Sequence, residues 1–355
     1  MHEERIQASL IGRGTDEITR LPALEGEPAY RARQVATWIY QKGVRDFASM
    51  TSLSKALRDR LTAAHTLERL PVLACASSAD GTAVKFLFGL FDGQRIESVL
   101  LRAPRRDTLC ISTQAGCGFA CRFCATGAMG LRRNLTVHEI LSQVLELRDE
   151  LRARGEHGFF NLVFMGMGEP LDNFAAVVAA IRVMHEDFGM AVGFRRITVS
   201  TVGLPEKIRA LANEGVPVRL ALSLNATVNE TRSSLMPVNR RHPIESVLPA
   251  LAEYRRRTGS RITLEYILID GVNDSLEDAR RLARLAAECD AQVNLIRFNA
   301  HAKTTLRPSP LARVEEFYRT MLPLGPAVTV RESRGVDIHA ACGQLSTAYE
   351  AGAIS

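Results

Sequence analysis

From residue 107 onward the chain alternates two hydrophobic patterns. Short, nearly continuous apolar runs occur at DTLCIST (107–113), NLVFMGM (161–167), RRITVST (195–201), VRLALSLN (218–225), ITLEYILI (262–269), VNLIRFN (293–299) and AVTVRES (327–333). Between them lie longer stretches whose apolar residues recur every three or four positions: LTVHEILSQVLELRDELRAR (135–154), AAVVAAIRVMHEDF, PEKIRALANEG, PIESVLPALAEYRRR and LEDARRLARLAAEC. The short runs read as strands buried on both faces, the longer stretches as amphipathic helices. Thr136 and Glu139 have the spacing of a capping box ahead of the first of these helices. Buried strands alternating with helices predict a parallel sheet with helical crossovers, and about six such units predict a barrel or partial barrel.

The earlier part of the chain is different. Residues 28–62 read as helices. In PAYRARQVATWIYQKGV the apolar Val35, Trp38 and Ile39 share one face, and Gly43 marks a stop. Ser52 or Ser54 caps a second helix, KALRDRL. AVKFLFGLF (83–91) and QRIESVLLR (94–102) predict two strands joined by the hairpin turn sequence Asp92-Gly93. The change of pattern predicts an accessory helical domain with a hairpin strand over residues 1–91 and a core over residues 92–355. No internal repeat or low-complexity segment interrupts either part.

Composition changes this picture little. A chain of 355 residues, 46% hydrophobic and 24% charged, suits one large domain with an appendage. The start, MHEERIQASL, has no apolar stretch, so no secretory leader is expected, and no uncharged apolar run approaches the roughly 18–20 residues of a membrane span. The expected compartment is the cytoplasm, where thiols stay reduced. Seven cysteines there point to metal or redox chemistry rather than to a disulfide framework. A net charge of +6 hints at a polyanionic partner.

The cysteines carry the sharpest signal. Cys117, Cys121 and Cys124 follow the strand DTLCIST in a Gly-containing loop, with the spacing Cys-x3-Cys-x2-Cys. Structural zinc usually takes four ligands in two pairs, and no second pair is present. Three thiolates suit a four-iron cluster with one iron left open for a substrate. The other candidates stand at predicted strand ends. In FMGMGEPLDN two glycines allow close backbone approach, and Glu169 can accept from an ammonium group. Ser200, Ser223, Asn225 and Asn299 could hold hydroxyls or a carboxylate, although singly such residues are more often turn or cap residues. Lone cysteines are usually small apolar filler, the reading given to Cys75 and Cys289.

The loop CGFACRFC resembles the signature of radical S-adenosylmethionine (SAM) enzymes, and Phe123 before the last cysteine also fits. From about residue 28 to about 346 the chain is similar to the RlmN/Cfr family of RNA adenosine methyltransferases. The ordered matches are RQVATWIY, RIESVLL, TLCISTQAGC, CATGAMGLRRNLT, FMGMGEPLDN, RRITVSTVG, LALSLNA, MPVNRR, TLEYILIDGVND, NLIRFN and DIHAACGQL. The resemblance implies an α/β fold, a radical SAM partial (βα)6 barrel with a small N-terminal helical accessory domain and a β-hairpin. It implies one [4Fe-4S] cluster on Cys117, Cys121 and Cys124, with SAM on the open iron. Gly168, Glu169, Ser200, Ser223, Leu224, Asn225 and Asn299 would bind SAM, two molecules being used per turnover.

It also reverses the filler reading for two cysteines. Cys342 would carry the methyl group as S-methylcysteine, and Cys110 would release the methylated RNA by forming a disulfide with Cys342. Glu97 would be the proton acceptor. The implied substrate is 23S rRNA, methylated at adenosine carbon 2 in the peptidyl-transferase region, with tRNA as a possible second substrate. The implied electron donor is a flavodoxin-type protein, and the implied state a monomer. HAKTTLRPSP and Arg297 lie nearer to the Cfr side, which methylates carbon 8, whereas RGVDIHAACGQL is RlmN-like. A non-catalytic iron–sulfur RNA-binding protein is the rival from another class. Arg31, Arg33, Lys42 and Arg45, the run Arg102, Arg105 and Arg106, and the pairs Arg132–Arg133, Arg195–Arg196 and Arg240–Arg241 are candidate phosphate contacts.

Overall fold

The computed structural model describes residues 8–155 and 160–347, so the expectation of no leader in MHEERIQ lies outside the described residues. The first part of the described chain carries the α-helices α1 (Thr15–Thr19), α2 (Tyr30–Ala36) and α3 (Lys55–Ala64). Val35 and Ile39 are buried as their shared face requires, with Trp38 half-buried beside them. The second turn is wider than expected, because Thr37–Lys42 continues α2 as a π-helix before Gly43 closes it at φ +73°. Ser54 is the cap of α3, its side chain accepting from Leu57 N at 3.2 Å.

Ten strands then form one sheet: β1 (Val72–Ser77), β2 (Ala83–Gly89), β3 (Arg95–Leu101), β4 (Thr108–Cys110), β7 (Asn161–Phe164), β8 (Ile197–Thr201), β9 (Arg219–Ser223), β10 (Ile262–Leu268), β11 (Ala291–Arg297) and β12 (Val328–Arg331), adjacent in that order. A separate two-stranded hairpin, β5 (Gln114–Cys117) with β6 (Gly130–Asn134), ends its first arm at Cys117 and carries Cys121 and Cys124 between its arms. Strands β1 to β4 pair antiparallel, and β4 to β12 pair parallel. The crossovers are α4 (Val137–Ala153), α5 (Phe174–His185), α6 (Pro205–Asn213), α7 (Asn229–Leu235) with α8 (Ile244–Thr258), α9 (Leu276–Glu288) and α10 (Leu311–Met321). Residues from β3 and β4 border the same cavity as residues from β11 and β12, so the sheet is rolled around a lumen. This is the expected partial barrel.

The expected turn at Asp92-Gly93 is present, with Gly93 at φ +82° and Leu90 N donating to Gln94 O at 2.8 Å. The division expected at residues 91/92 falls on that turn. Strands β2 and β3 on either side pair over seven residues and belong to the same sheet as the barrel. One expectation is corrected. Cys75 is exposed, on the edge strand β1, and so is not buried filler, whereas Cys289 is buried. The hairpin β5–β6 was not expected. Its arms are short and lack alternation, and Gly116 stands at φ +76° where an added Cβ would lie 1.9 Å from Gly130 O.

Buried polar residues fasten these elements. Thr136 and Glu139 form the predicted capping box on α4. Gln143 on the same helix is fully buried and clamps two strands, its Oε1 accepting from Ser98 Oγ (2.6 Å) and Ser112 N (2.8 Å). Arg232, also fully buried, donates to Val202 O (2.7 Å), Leu224 O (3.0 Å) and Asn239 Oδ1 (2.8 Å). It thereby ties the segments that follow β8 and β9.

Removing those donors would leave several buried oxygens unsatisfied. Arg232→Met is expected to lower unfolding stability by about 3 kcal/mol or more, read by urea denaturation. An unchanged midpoint would show that water replaces the guanidinium.

Burial holds His138 below the ordinary histidine range, with its Nε2 2.9 Å from Glu68 O. The unfolded chain therefore takes up that proton before the folded one does. This contribution to stability is complete above about pH 6.5 and is lost as pH falls below it. Denaturation of wild type and His138→Gln at pH 7.5 and pH 5.5 should show the wild type losing ground to the variant in acid. A constant difference would exclude the effect.

Candidate active site

The parallel strands end at one rim, and the predicted residues gather there because each follows the carboxyl end of a strand. One cavity of about 140 Å³ is bordered by Cys117, Cys121, Cys124, Gly168, Glu169, Ser200, Ser223, Asn225 and Cys342. Cys110 is not in that list. It lines an adjoining cavity of about 470 Å³ that Cys124 and Cys342 also border. Leu224 and Asn299 line neither cavity. Leu224 is buried behind the wall, its carbonyl held by Arg232, and Asn299 Nδ2 donates to Cys342 O at 3.1 Å.

The cluster loop is an apolar cup. Cys121 and Phe123 pack with Leu235, Met236, Ile269 and Phe298. Burial raises all three thiols, that of Cys117 to about 12, and Cys117 and Cys121 are raised further by the other sulfurs. Backbone N–H groups of Gly127 and Thr126 are directed at the Cys124 sulfur, and that of Phe119 at Cys117. As free thiolates these groups would be unstable together. Bound to iron they would be deprotonated outright and still use the amide donors, so the donor set fits a cluster. Among the described residues no three of His, Cys, Asp and Glu are grouped for a single ion. A cube with one thiolate per iron does not need that convergence.

Gly168 has φ +102°, and an added Cβ would lie 2.6 Å from Gln114, so any side chain would be strained. This glycine presents Glu169 to the cavity. Glu169 is 2% exposed and pushed up to about 7, chiefly by burial. Its oxygens accept from Val202 N (2.8 Å) and Leu171 N (3.1 Å), and its own N–H donates to Gln114 Oε1 (2.9 Å). Asn225 adopts φ +57°, which lets its Oδ1 accept from Ile267 N at 3.0 Å.

Cys342 is held by its neighbours along the C-terminal segment. Gly343 O accepts from Ala125 N at 2.7 Å, Leu345 O from Thr126 Oγ1 at 2.6 Å, and Ala300 O from Gln344 Nε2 at 3.0 Å. Ser346 N donates to Glu97 Oε2 at 3.0 Å. Glu97 is 1% exposed and is also ion-paired with Lys85 at 3.1 Å. It therefore is not the surface residue that an acid in an apolar strand would ordinarily be. Val99 lies opposite Cys110 across β3 and β4, and Glu97 is two positions from Val99, so Glu97 and Cys110 project from the same face. Burial pushes the Cys110 thiol up to about 12, with Arg331 acting in the opposite direction.

Arg331 and Glu265 were not singled out by sequence. Both border the smaller cavity, and Cys342, Glu265 and Cys110 together favour the charged guanidinium. Glu265 gave the same signal as Glu97, an acid inside an apolar strand; Arg331 gave none. Several basic residues suggested as phosphate contacts are engaged elsewhere. Arg133 binds Glu139 at 2.7 Å and Asp92 at 2.5 Å, Arg45 binds Glu146 at 2.8 Å, and Lys42 lies over the Trp38 ring at 3.4 Å.

Comparison with known proteins agrees with this geometry. Residues 111–283 match the model of the radical SAM superfamily, and residues 9–67 match that of the ribosomal RNA large subunit methyltransferase N-terminal domain. The chain is 44% identical to a dual-specificity RNA methyltransferase RlmN of Geobacter sulfurreducens, over 96% of this chain and 92% of that protein. It is 45% identical to a probable RlmN of Moorella thermoacetica, over 93% and 94% respectively. A radical SAM methyltransferase from Sphaerobacter thermophilus, known from its crystal structure, superposes with a TM-score of 0.90 at 44% identity, covering 95% of this chain and 98% of that one. With identity at this level across nearly its whole length, the chain belongs to the RlmN family of radical SAM methyltransferases.

Proposed function

We propose that the protein methylates carbon 2 of an adenosine in the peptidyl-transferase region of 23S rRNA, with an adenosine at a 37-type position of tRNA as a second substrate. The names of the similar proteins from Geobacter sulfurreducens and Moorella thermoacetica, which describe dual-specificity RNA methyltransferases, support an RNA substrate. The observation that carries the proposal is the meeting of Cys110 and Cys342 in one cavity beside a cluster cysteine. An aromatic carbon that is itself electrophilic cannot attack a methyl sulfonium, so a protein thiol has to carry the carbon to it.

In this reading Cys117, Cys121 and Cys124 hold one [4Fe-4S] cluster. Gly168, Glu169, Ser200, Ser223 and Asn225 hold SAM, with Leu224 and Asn299 behind the wall. Bound there, cluster and SAM supply an electron, a methyl group and a 5′-deoxyadenosyl radical. The Glu169 carboxylate keeps a lone pair for an ammonium group beyond its contacts with Val202 N, Leu171 N and the Thr201 side chain. The apolar cup around Cys121 excludes water.

Cys342 Sγ bears the carbon that becomes joined to the adenine ring, which links protein and RNA covalently. Glu97 takes the proton that leaves the ring, the ring's unpaired electron would pass back to the bound cluster, and Lys85 balances the charge of Glu97. Cys110 Sγ, having lost its proton, then bonds to Cys342 Sγ. The sulfur–carbon bond of Cys342 breaks, and the carbon keeps the electron pair and gains a proton to become the product methyl. The two thiols end as a disulfide. The N-terminal helices would grip the folded RNA, a flavodoxin-type protein would supply electrons, and the protein would act as a monomer in the cytoplasm.

Three replacements separate the parts of this scheme. Cys121→Ala is expected to abolish iron and sulfide binding after anaerobic reconstitution, whereas Cys75→Ala keeps both. Retention of iron by Cys121→Ala would remove it from the ligand set. Cys110→Ala, incubated with SAM, reductant and an unmodified rRNA fragment, should accumulate a protein–RNA crosslink visible on a denaturing gel. Normal release of product by that variant would overturn the disulfide step.

The wild-type product, digested to nucleosides and analysed by mass spectrometry, should be 2-methyladenosine. 8-Methyladenosine would instead assign the Cfr-type activity. Glu97→Gln should slow product formation by about 10²-fold or more, the usual worth of a positioned base. A wild-type rate in Glu97→Gln would assign the proton to another group.

A further inference from the structure

The amino ends of the parallel strands carry a third and larger cavity, of about 660 Å³, at the opposite end of the barrel from the loop of Cys117, Cys121 and Cys124. Five arginines surround it. Arg195 and Arg196 lie in the 3-10 turn that enters β8, Arg219 opens β9, Arg255 is in the last turn of α8, and Arg261 precedes β10. Among the described residues the remaining lining is neutral and includes no carboxylate.

Arg255 is paired with Asp290 at 2.8 Å. Among the described residues, the side chains of Arg195, Arg219 and Arg261 have no hydrogen-bond or ion-pair partner, and Arg195 and Arg261 are exposed. Arg219 is disfavoured as a cation by burial and then by Arg261, Arg106 and Arg195, with no acid acting the other way. Like charges such as Arg195, Arg219 and Arg261, gathered with no ion-pair partner among the described residues, repel one another, and an incoming anion would relieve the repulsion. Guanidinium forks match phosphate oxygens in geometry as well as in charge.

Two features favour the backbone of a long polyanion over a small free anion. The cavity is open enough to leave Arg195 and Arg261 at the surface, and its charge continues past its edge through Arg106, which is also exposed. Arg219 lines this cavity and also the one that holds Cys110 and Cys342. The run of β9 separates the two ends of the lumen by only roughly 13 Å, within the span of a few nucleotides. We infer that this arginine-lined cavity binds phosphodiester groups of the RNA substrate, away from the reacting base. The inference rests on the reading that the substrate is RNA.

The test uses the cluster-loaded full chain and an unmodified large-subunit rRNA fragment. Equilibrium binding is measured between 50 and 200 mM KCl for wild type, Arg195→Gln/Arg261→Gln and Arg195→Lys/Arg261→Lys. Each phosphate contact contributes about 0.7–0.9 to the slope of log affinity against log salt. The glutamine variant should therefore lose about 1.4–1.8 from the slope, with affinity at 50 mM falling by roughly fivefold or more, and the lysine variant should keep the wild-type slope.

A steep wild-type slope matched by an equal slope in the glutamine variant would overturn this assignment and leave the RNA reading standing. A wild type that does not bind the RNA would overturn both. Calorimetric binding of inorganic phosphate to wild type but not to the glutamine variant, with equal RNA slopes, would make the cavity a free-anion site and overturn the RNA assignment.

Discussion

Arg232 grips the rim of the barrel from beneath. Its guanidinium donates to Val202 O beyond β8 and to Leu224 O beyond β9, the two strands that bring Ser200 and Ser223 to the cavity. A parallel sheet fixes where strands run but leaves their last carbonyls without ladder partners. A buried cation supplies several donors from a single point, so the two segments cannot separate without exposing a charge to an apolar interior. Asn239, Asn273 and Asn225 extend the same fastening. Asn273 Nδ2 donates to Asn225 O (2.8 Å) and Ile267 O (2.6 Å), which joins the β9 end to the β10 end.

The charge of Arg232 has a second consequence. Among the described residues, the titratable group that favours it is Cys121 and not a carboxylate. Arg331 is placed similarly among Cys342, Cys110 and Glu265. A site built to hold several thiolates accumulates negative charge where water is scarce, and buried guanidiniums offset it there. Arg232 and Arg331 thus stand among cysteines, whereas Arg195, Arg219 and Arg261 at the other end of the barrel have no ion-pair partner among the described residues.

The C-terminal segment brings distant parts of the chain to one point. Residues 343–346 bond to the cluster loop through Ala125 and Thr126, to the end of β11 through Ala300, and to the hairpin strand β3 through Glu97. Cys342 is thus positioned by three elements far apart in sequence. The antiparallel hairpin β2–β3 is drawn into the site by the same contacts, which is why Glu97 is buried. A hairpin that belonged only to an accessory domain would have left it in solvent.

Much of this could be read from residue order. Hydrophobic period alone distinguished the strands from the helices, because burial on both faces removes alternation from parallel strands. Local chemistry placed the Thr136–Glu139 box, the Ser54 cap, the Gly43 stop and the Asp92-Gly93 turn, since each satisfies backbone groups within a few residues. The cysteine spacing placed Cys117, Cys121 and Cys124 on one cavity because residues so near in sequence cannot lie far apart. Tertiary structure alone decided the rest. The π-turn in α2, the exposure of Cys75 and the short hairpin β5–β6 depend on neighbours remote in sequence. So do the partners of Arg232, the presence of Arg331 and Glu265 at the cavity, and the gathering of arginines at the barrel's amino end. Sequence specifies which groups a residue can bond and how its neighbours along the chain are satisfied. Which charges meet, and which are left without a partner, is settled only when the sheet rolls and brings its strand ends together.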